Sequence, residues 1–336
     1  MDRNFENKQR TTLKDIAKEI NVSVTTVSKA LNNHPDISKA RRQEILELVE
    51  KRNYIPNSFA KNLRMDSSAL IGVIVSDNAN PYNSKVIKAM ESIIDREGYY
   101  LLIANTNENV DAEERIIKKM LATNVCGILL CPAMGNTKTI NLLRKHNVPY
   151  VLFNRYIEKD QDSYVVADDT LAARIGAQYL ISMNDNRKIV FLGPDMIIST
   201  ACDRMTGFKE AMETNGRCFD KKSVFTGILD FDDGYKAIDD VLELFSGEKL
   251  SVLCYSDYIA LGVLKRLQEK KLNSSDINVM GIDGVEMFST FLTSVHLPKY
   301  SLGLLCAEIL INKIQGGGED KRIVMSKGLE ITGIPI

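Results

Sequence analysis

From Val24 to Asn32 the side chains of Val24, Thr25, Ser28, Lys29 and Asn32 recur on one face of a helix, and Val27, Ala30 and Leu31 form its other face. The first face is short, polar and uncharged apart from Lys29. Small donors and acceptors of this kind suit contact with base edges and phosphates in a DNA groove. A second chemistry sits far from it. Arg204 and Asp283 are side chains that grip vicinal hydroxyls, because guanidinium and carboxylate both make paired hydrogen bonds. Catalytic signatures do not accompany them: there is no Walker loop, no G-x-G-x-x-G, no nucleophile elbow and no acid pair with a clear partner. His34, His146 and His296 are scattered without metal-ligand spacing. These residues point to binding rather than turnover: no enzyme, no metal and no cofactor.

The elements that must position the first face are legible around it. Thr12 and Asp15 give the capping pattern of a helix start, and Leu13, Ile16, Ala17 and Ile20 follow at helical spacing. Asn21, which tolerates the left-handed conformation, should end that helix. Ser23 should cap a second helix, and Ser38 a third that runs to about Arg52 with Ile45, Leu48 and Val49 inward. Two helices and a tight turn also describe an ordinary αα-hairpin. The basic helix that follows, and the N-terminal placement ahead of a long α/β region, favour a helix-turn-helix.

Charge is segregated to match. The 336 residues carry a net charge of −1, with 44% hydrophobic and 26% charged side chains, the balance of a water-soluble chain of two or three domains. Residues 1–66 hold a net +4, and the remainder a net −5. No apolar leader follows a basic start and no run of 18 apolar residues occurs, so a cytoplasmic protein is expected. The six cysteines form no C-x-x-C pair and read as reduced, mostly buried thiols.

After Pro56, Asn57 or Ser58 can cap one short turn, SFAKNLR, too short to be stable alone. From Leu70 the pattern alternates. Strands are expected at 70–77, 99–106, 125–132 and 148–154, separated by helices. The helix 84–97 face of Val86, Ile87 and Met90 is a candidate subunit interface. Alternation then restarts with a helix at 169–183, strands at 188–194, 251–257 and 277–284, and helices at 201–215, 233–246 and 258–270. A doubly wound parallel sheet used twice gives two lobes. The tail 292–314 and the final strands should return across the first lobe. The domains expected are a headpiece at 1–55, a hinge and linker at 56–68, and an effector-binding and dimerisation domain at 69–336. Its first lobe is about 69–167 plus 298–325, and its second about 168–297 plus 326–336.

The wording TLKDIAKEINVSVTTVSKALN, continued by HPDIS and YIPNSFAKNLR, resembles the lactose repressor (LacI/GalR) family of bacterial transcription regulators, and the resemblance extends over essentially the whole chain. It implies a two-lobed effector domain of the periplasmic-binding-protein type behind the helix-turn-helix. It also implies a homodimer on pseudo-palindromic operator DNA, with a hinge helix whose Leu63 wedges the minor groove. Val24, Thr25 and Lys29 would then reach base edges, and Thr12, Thr26, Ser28 and Tyr54 phosphates. Leu13, Ser23, Asn32 and Asn57 complete the DNA-facing set. The chain carries no leucine-heptad extension, which favours a dimer over a tetramer.

Ligands of open α/β sheets sit off the carboxyl ends of strands, which here end near Asp77, Asn154-Arg155, Ser256-Asp257 and Asp283. The resemblance adds Tyr82 as a stacking aromatic and Thr200 as a pocket residue, and Arg204 and Asp283 match effector contacts. The expected effector set is Tyr82, Asn154, Arg155, Thr200, Arg204, Ser256, Asp257 and Asp283. Asp257 also reads as a helix N-cap, and Arg155 as either a cleft closer or an anion contact. A sugar or sugar phosphate is the first expectation for the small-molecule effector of this repressor. A purine corepressor is the alternative, because TSVHLPKYSLG resembles the purine-responsive branch, although Asn83 replaces half of that branch's aromatic pair. A phosphoprotein co-regulator is a third reading. A transporter's solute-binding protein is the rival from another class, and the N-terminal helices weigh against it.

Overall fold

In the computed structural model Thr12 opens the first helix as the sequence predicts. Its hydroxyl accepts from the Asp15 amide at 3.3 Å, and the Asp15 carboxylate accepts from the Thr12 amide at 2.8 Å. The structure describes residues 11–54, 69–183, 186–272 and 276–334, and the chain divides into two units, Met1–Ser68 and Ala69–Ile336.

The first unit holds α1 (Leu13–Glu19), α2 (Val24–Leu31) and α3 (Lys39–Lys51). Ser23 and Ser38 cap α2 and α3 through the Thr26 and Arg41 amides. Each helix is followed by an asparagine in the left-handed region: Asn21, Asn33 and Asn53, at φ of 54°, 56° and 45°. The residue after each donates back into the last turn, Val22 to Ala17, His34 to Lys29 and Tyr54 to Val49, which satisfies carbonyls left open at the helix end. Ile16, Ala17, Val27, Ala30 and Ile45 form the core, as their spacing predicts.

The second unit contains two six-stranded sheets. The first uses β1 (Leu70–Val75), β2 (Tyr100–Asn105), β3 (Gly127–Leu130), β4 (Tyr150–Phe153) and β5 (Tyr164–Ala167). The second uses β6 (Lys188–Leu192), β7 (Val224–Phe225), β8 (Leu250–Cys254), β9 (Ile277–Asp283) and β10 (Thr293–His296). Two late strands, β11 (Arg322–Met325) and β12 (Glu330–Thr332), complete them. The orders are β11-β5-β4-β3-β1-β2 and β12-β10-β9-β8-β6-β7, with every pairing parallel except β10 with β12. Central strands such as β3, β5, β8 and β9 are buried along their whole length, because helices cover both faces.

The connecting helices are α4 (Pro81–Arg96), α5 (Val110–Ala122), α6 (Thr137–Lys145), α7 (Asp169–Ser182), α8 (Ser199–Thr214), α9 (Phe231–Leu244), α10 (Asp257–Glu269) and α11 (Lys299–Ile314). Three tight helix pairs, α4 with α11, α7 with α8 and α9 with α10, flank the sheets.

Two expectations are corrected, and one strand, β5, was not expected at all. The tail does not simply return across the first lobe: β10 lies in the second sheet, α11 packs on the first, β11 pairs with β5, and β12 turns antiparallel at the edge of the second. Val86, Ile87 and Met90 are not an exposed interface; they are buried in the core, where α4 meets α11 and the first sheet. Three exposed apolar side chains of that half cluster on edge strand β2, at Tyr100, Leu102 and Ile103, and others stand apart at Tyr300 and Val324. All six cysteines are free thiols, and Cys131, Cys254 and Cys306 are buried.

Candidate functional site

A cleft of about 270 Å³ opens in the second unit where the strand ends of both sheets converge. Ser76 and Asp77 follow β1, Asn154 and Arg155 follow β4, Tyr255 and Ser256 follow β8, and Asp283 ends β9; all line it. This is the carboxyl-end placement that the sheet topology dictates.

Arg204, in the second turn of α8, is the centre of the cleft's polar floor. Its Nε donates to Asp169 Oδ1 at 2.7 Å, its Nη1 donates to the Tyr255 carbonyl, and its Nη2 lies 3.9 Å from Asp283 Oδ1. The guanidinium lies 4.3 Å from the centre of the Tyr255 ring. Burial lowers the pKa of this arginine, but Asp169, Tyr255 and Asp283 outweigh it and raise the pKa above the ordinary value. The same burial pushes the Asp169 carboxyl up to about 6 against the pull of Arg204. Asp283 is pushed well above the usual carboxylate range by burial and by the neighbouring Asp257 charge.

Tyr82, the second residue of α4, donates its hydroxyl to Asn154 Oδ1 at 3.1 Å, and Asn154 Nδ2 donates to Asn83 Oδ1 at 3.3 Å. Asn154 itself stands at a φ of 60°, which asparagine tolerates. The Thr200 and Tyr255 hydroxyls share a hydrogen bond of 2.6 Å. Arg155 is not free for an anion. Glu108 grips it with both carboxylate oxygens, at 2.8 and 2.7 Å, and the Pro132 carbonyl accepts at 3.0 Å.

Seven of the eight expected effector residues therefore line one cleft. The exception is Asp257, which is 1% exposed and does not line it. Asp257 accepts from the Val285 amide at 2.7 Å and from the Ser294 hydroxyl, so it holds the turn after β9. It is not the N-cap either: Ser256 caps α10, through the Ile259 amide at 3.2 Å. Sequence reasoning missed Asp169, Glu108 and Tyr255. Asp169 was hidden because β5 went unread, and a strand end there would have exposed it. Glu108 lies just beyond the end of β2, so the strand-end rule applied to that loop would have found it.

In the first unit, the expected DNA-facing residues divide by present occupation. Thr12, Ser23 and Thr26 are engaged in caps, and the Ser23 and Thr26 hydroxyls lie 2.9 Å apart. Thr25 is exposed, and Ser28 is half-buried on α2. Lys29 donates to Asp36 at 2.7 Å, and Asn32 to the Ser28 carbonyl at 2.8 Å. Leu13, Val24 and Tyr54 are half-buried against the core of the headpiece, so only part of each faces outward. Asn57 and Leu63, with the rest of the expected hinge, lie outside the described residues.

A three-helix unit with a helix-turn-helix, joined to a two-sheet unit with a cleft at its strand ends, defines a class: regulators that couple DNA binding to ligand binding. A profile of periplasmic binding proteins and the sugar binding domain of the LacI family matches residues 68–330, and one of bacterial regulatory proteins of the lacI family matches residues 12–57. The chain belongs to the LacI family of DNA-binding transcription regulators. Among curated relatives, the HTH-type transcriptional repressor PurR of Vibrio atlanticus (strain LGP32) is 29% identical over 317 residues, covering 93% of this chain and 94% of the relative. PurR of Histophilus somni (strain 2336) is 28% identical over 321 residues, covering 93% and 95%. The lac repressor dimer bound to operator and the anti-inducer ONPF shares the fold with a TM-score of 0.79 at 22% identity, covering 96% of this chain and 98% of that one. The family is one of regulators rather than enzymes. Among the described residues no helix is long and apolar enough to cross a membrane, and no side-chain group is arranged to hold a metal ion.

Proposed function

We propose that this chain is a cytoplasmic, homodimeric repressor whose grip on a pseudo-palindromic operator is switched by one small, hydroxyl-rich molecule closing on the cleft. The observation that carries the reading is the floor of that cleft: Arg204 held by Asp169 beside Asp283, with Asn154, Thr200 and Ser256 around it. Charged forks and neutral amides or hydroxyls grip diols from several sides. A volume of about 270 Å³ suits one sugar ring or one nucleobase. Arg155 is engaged by Glu108, so a sugar is favoured over a sugar phosphate. One recognition helix per chain needs a two-fold partner to read a palindrome, and edge strand β2 offers apolar surface for one.

A purine corepressor is the second reading. The name PurR among the relatives favours it, and two tyrosines, Tyr82 and Tyr255, line the cleft. The test is a thermal-shift screen of the full chain against sugars, sugar phosphates, purines and nucleosides. A ligand at 100 times its dissociation constant adds about 2.7 kcal/mol. A sugar hit that also alters operator affinity supports the first reading, and a purine hit replaces it with the second.

A further inference from the structure

The charges around the cleft do not balance, and the imbalance lies in its buried part. Asp169, Asp257 and Asp283 are 3%, 1% and 5% exposed. Among the described residues, two buried cations face these carboxyls, Arg204 and Lys299. Arg204 commits its short ion pair to Asp169. Lys299 directs its ammonium at the Asp283 and Gly284 carbonyls, at 3.1 and 2.6 Å. Asp257 has its own donors, the Val285 amide and the Ser294 hydroxyl. Asp283 is left short. Its Oδ2 accepts from the Asp257 amide at 3.2 Å, but among the described residues its Oδ1 accepts no hydrogen bond and has only Arg204 Nη2 at 3.9 Å. That oxygen belongs to a residue lining the cleft.

The rest of the lining adds to the imbalance. Asp77 and Asp230 stand on the cleft wall, and its second arginine, Arg155, is already paired with Glu108. The Asp283 Oδ1 atom opens to the cleft with no protein donor on it among the described residues, and a ligand cation pairs with a carboxylate oxygen more strongly than a neutral hydroxyl does. An anionic ligand would meet this field as a like charge.

We propose that the effector carries a protonated amine beside its hydroxyls, as an amino sugar or amino polyol does, and that the ammonium seats against Asp283 Oδ1. This rests on the reading of the cleft as a hydroxyl-binding site and narrows its ligand class. The hydroxyls fix orientation through Asn154 and Thr200, while the cation supplies the discrimination.

The test is calorimetric titration of the full chain with matched probes: glucosamine, glucose, N-acetylglucosamine and glucose 6-phosphate, then the same four derivatives of galactose and mannose. In at least one series the amino sugar should bind about tenfold or more tighter than both its parent and its N-acetyl form, which lacks the charge. Asp283→Asn should abolish the preference. Tighter binding of a neutral parent or a phosphate overturns the inference and leaves the hydroxyl-binding reading standing. No binding by any sugar overturns both.

Discussion

Arg204 is worth more to the empty cleft than one ligand contact. Its removal leaves Asp169 and Asp283 buried beside no guanidinium, a loss of about 3–5 kcal/mol when one partner of a buried pair is deleted. Arg204→Ala should therefore lower the melting temperature of the effector unit and abolish effector response, while operator binding without effector persists at low temperature. Denaturation and operator titration on the same sample test both. Asp169 gives a pH signature of definite sign. Its folded pKa of about 6 lies above the ordinary 3.8, so the folded chain holds the proton more tightly. Its contribution is fully present below about pH 4 and is lost as pH rises through about 6, a span of about 3 kcal/mol. Stability of the empty protein should fall from pH 5 to pH 7 in denaturant titrations, and Asp169→Asn should flatten that slope. On α2, the helix proposed to face DNA, Lys29 is paired with Asp36. Asp36→Ala should free the lysine, strengthen DNA binding and steepen its salt dependence by up to about one counterion, measured by anisotropy at several salt concentrations.

Among the elements, the α7–α8 pair sets one wall of the cleft, since α7 starts at Asp169 and α8 carries Arg204. A Cβ at Gly207 would run into the Thr170 carbonyl of α7, so the helices cross backbone to backbone there. Gly207→Ala should cost about 1–3 kcal/mol, read by denaturant midpoint, and weaken effector binding by shifting Arg204 away from Asp169. Such a crossing is not legible in a sequence, because one glycine in a helix has many possible reasons. The headpiece was legible almost to the residue, since Thr12, Ser23 and Ser38 act through local capping and Asn21 through its own backbone preference. The long strands were legible as apolar runs. The strands β3 and β4, also four residues long, sit in longer apolar runs, whereas β5, YVVA, stands alone between the polar stretches 158–163 and 168–170, and with it went Asp169. The strand-end rule located the cleft from Asn154, Ser256 and Asp283. It did not reveal who neutralises whom, because the Arg155–Glu108 and Arg204–Asp169 pairs join residues 47 and 35 positions apart.

Over the whole molecule, the exposed side chains of β2 carry the prediction for assembly. If the proposed dimer forms along that edge, Leu102→Asp should shift sedimentation towards the monomer and weaken binding to a palindromic operator more than to a half-site. The order of strands has a consequence for how the chain is made. The first sheet begins with Leu70, but β5 finds its last neighbour only when Arg322–Met325 arrives, after the whole second sheet except its edge strand β12 has been synthesised. On the ribosome the headpiece can fold early, through contacts close in sequence, whereas the first sheet must wait with an open edge until translation is nearly over. A prematurely terminated polypeptide would thus keep a working set of headpiece helices without a finished ligand sensor. Such a fragment would bind DNA as a lone, unregulated half-reader, and the cell's proteases would meet it with the edge of β5 still unpaired.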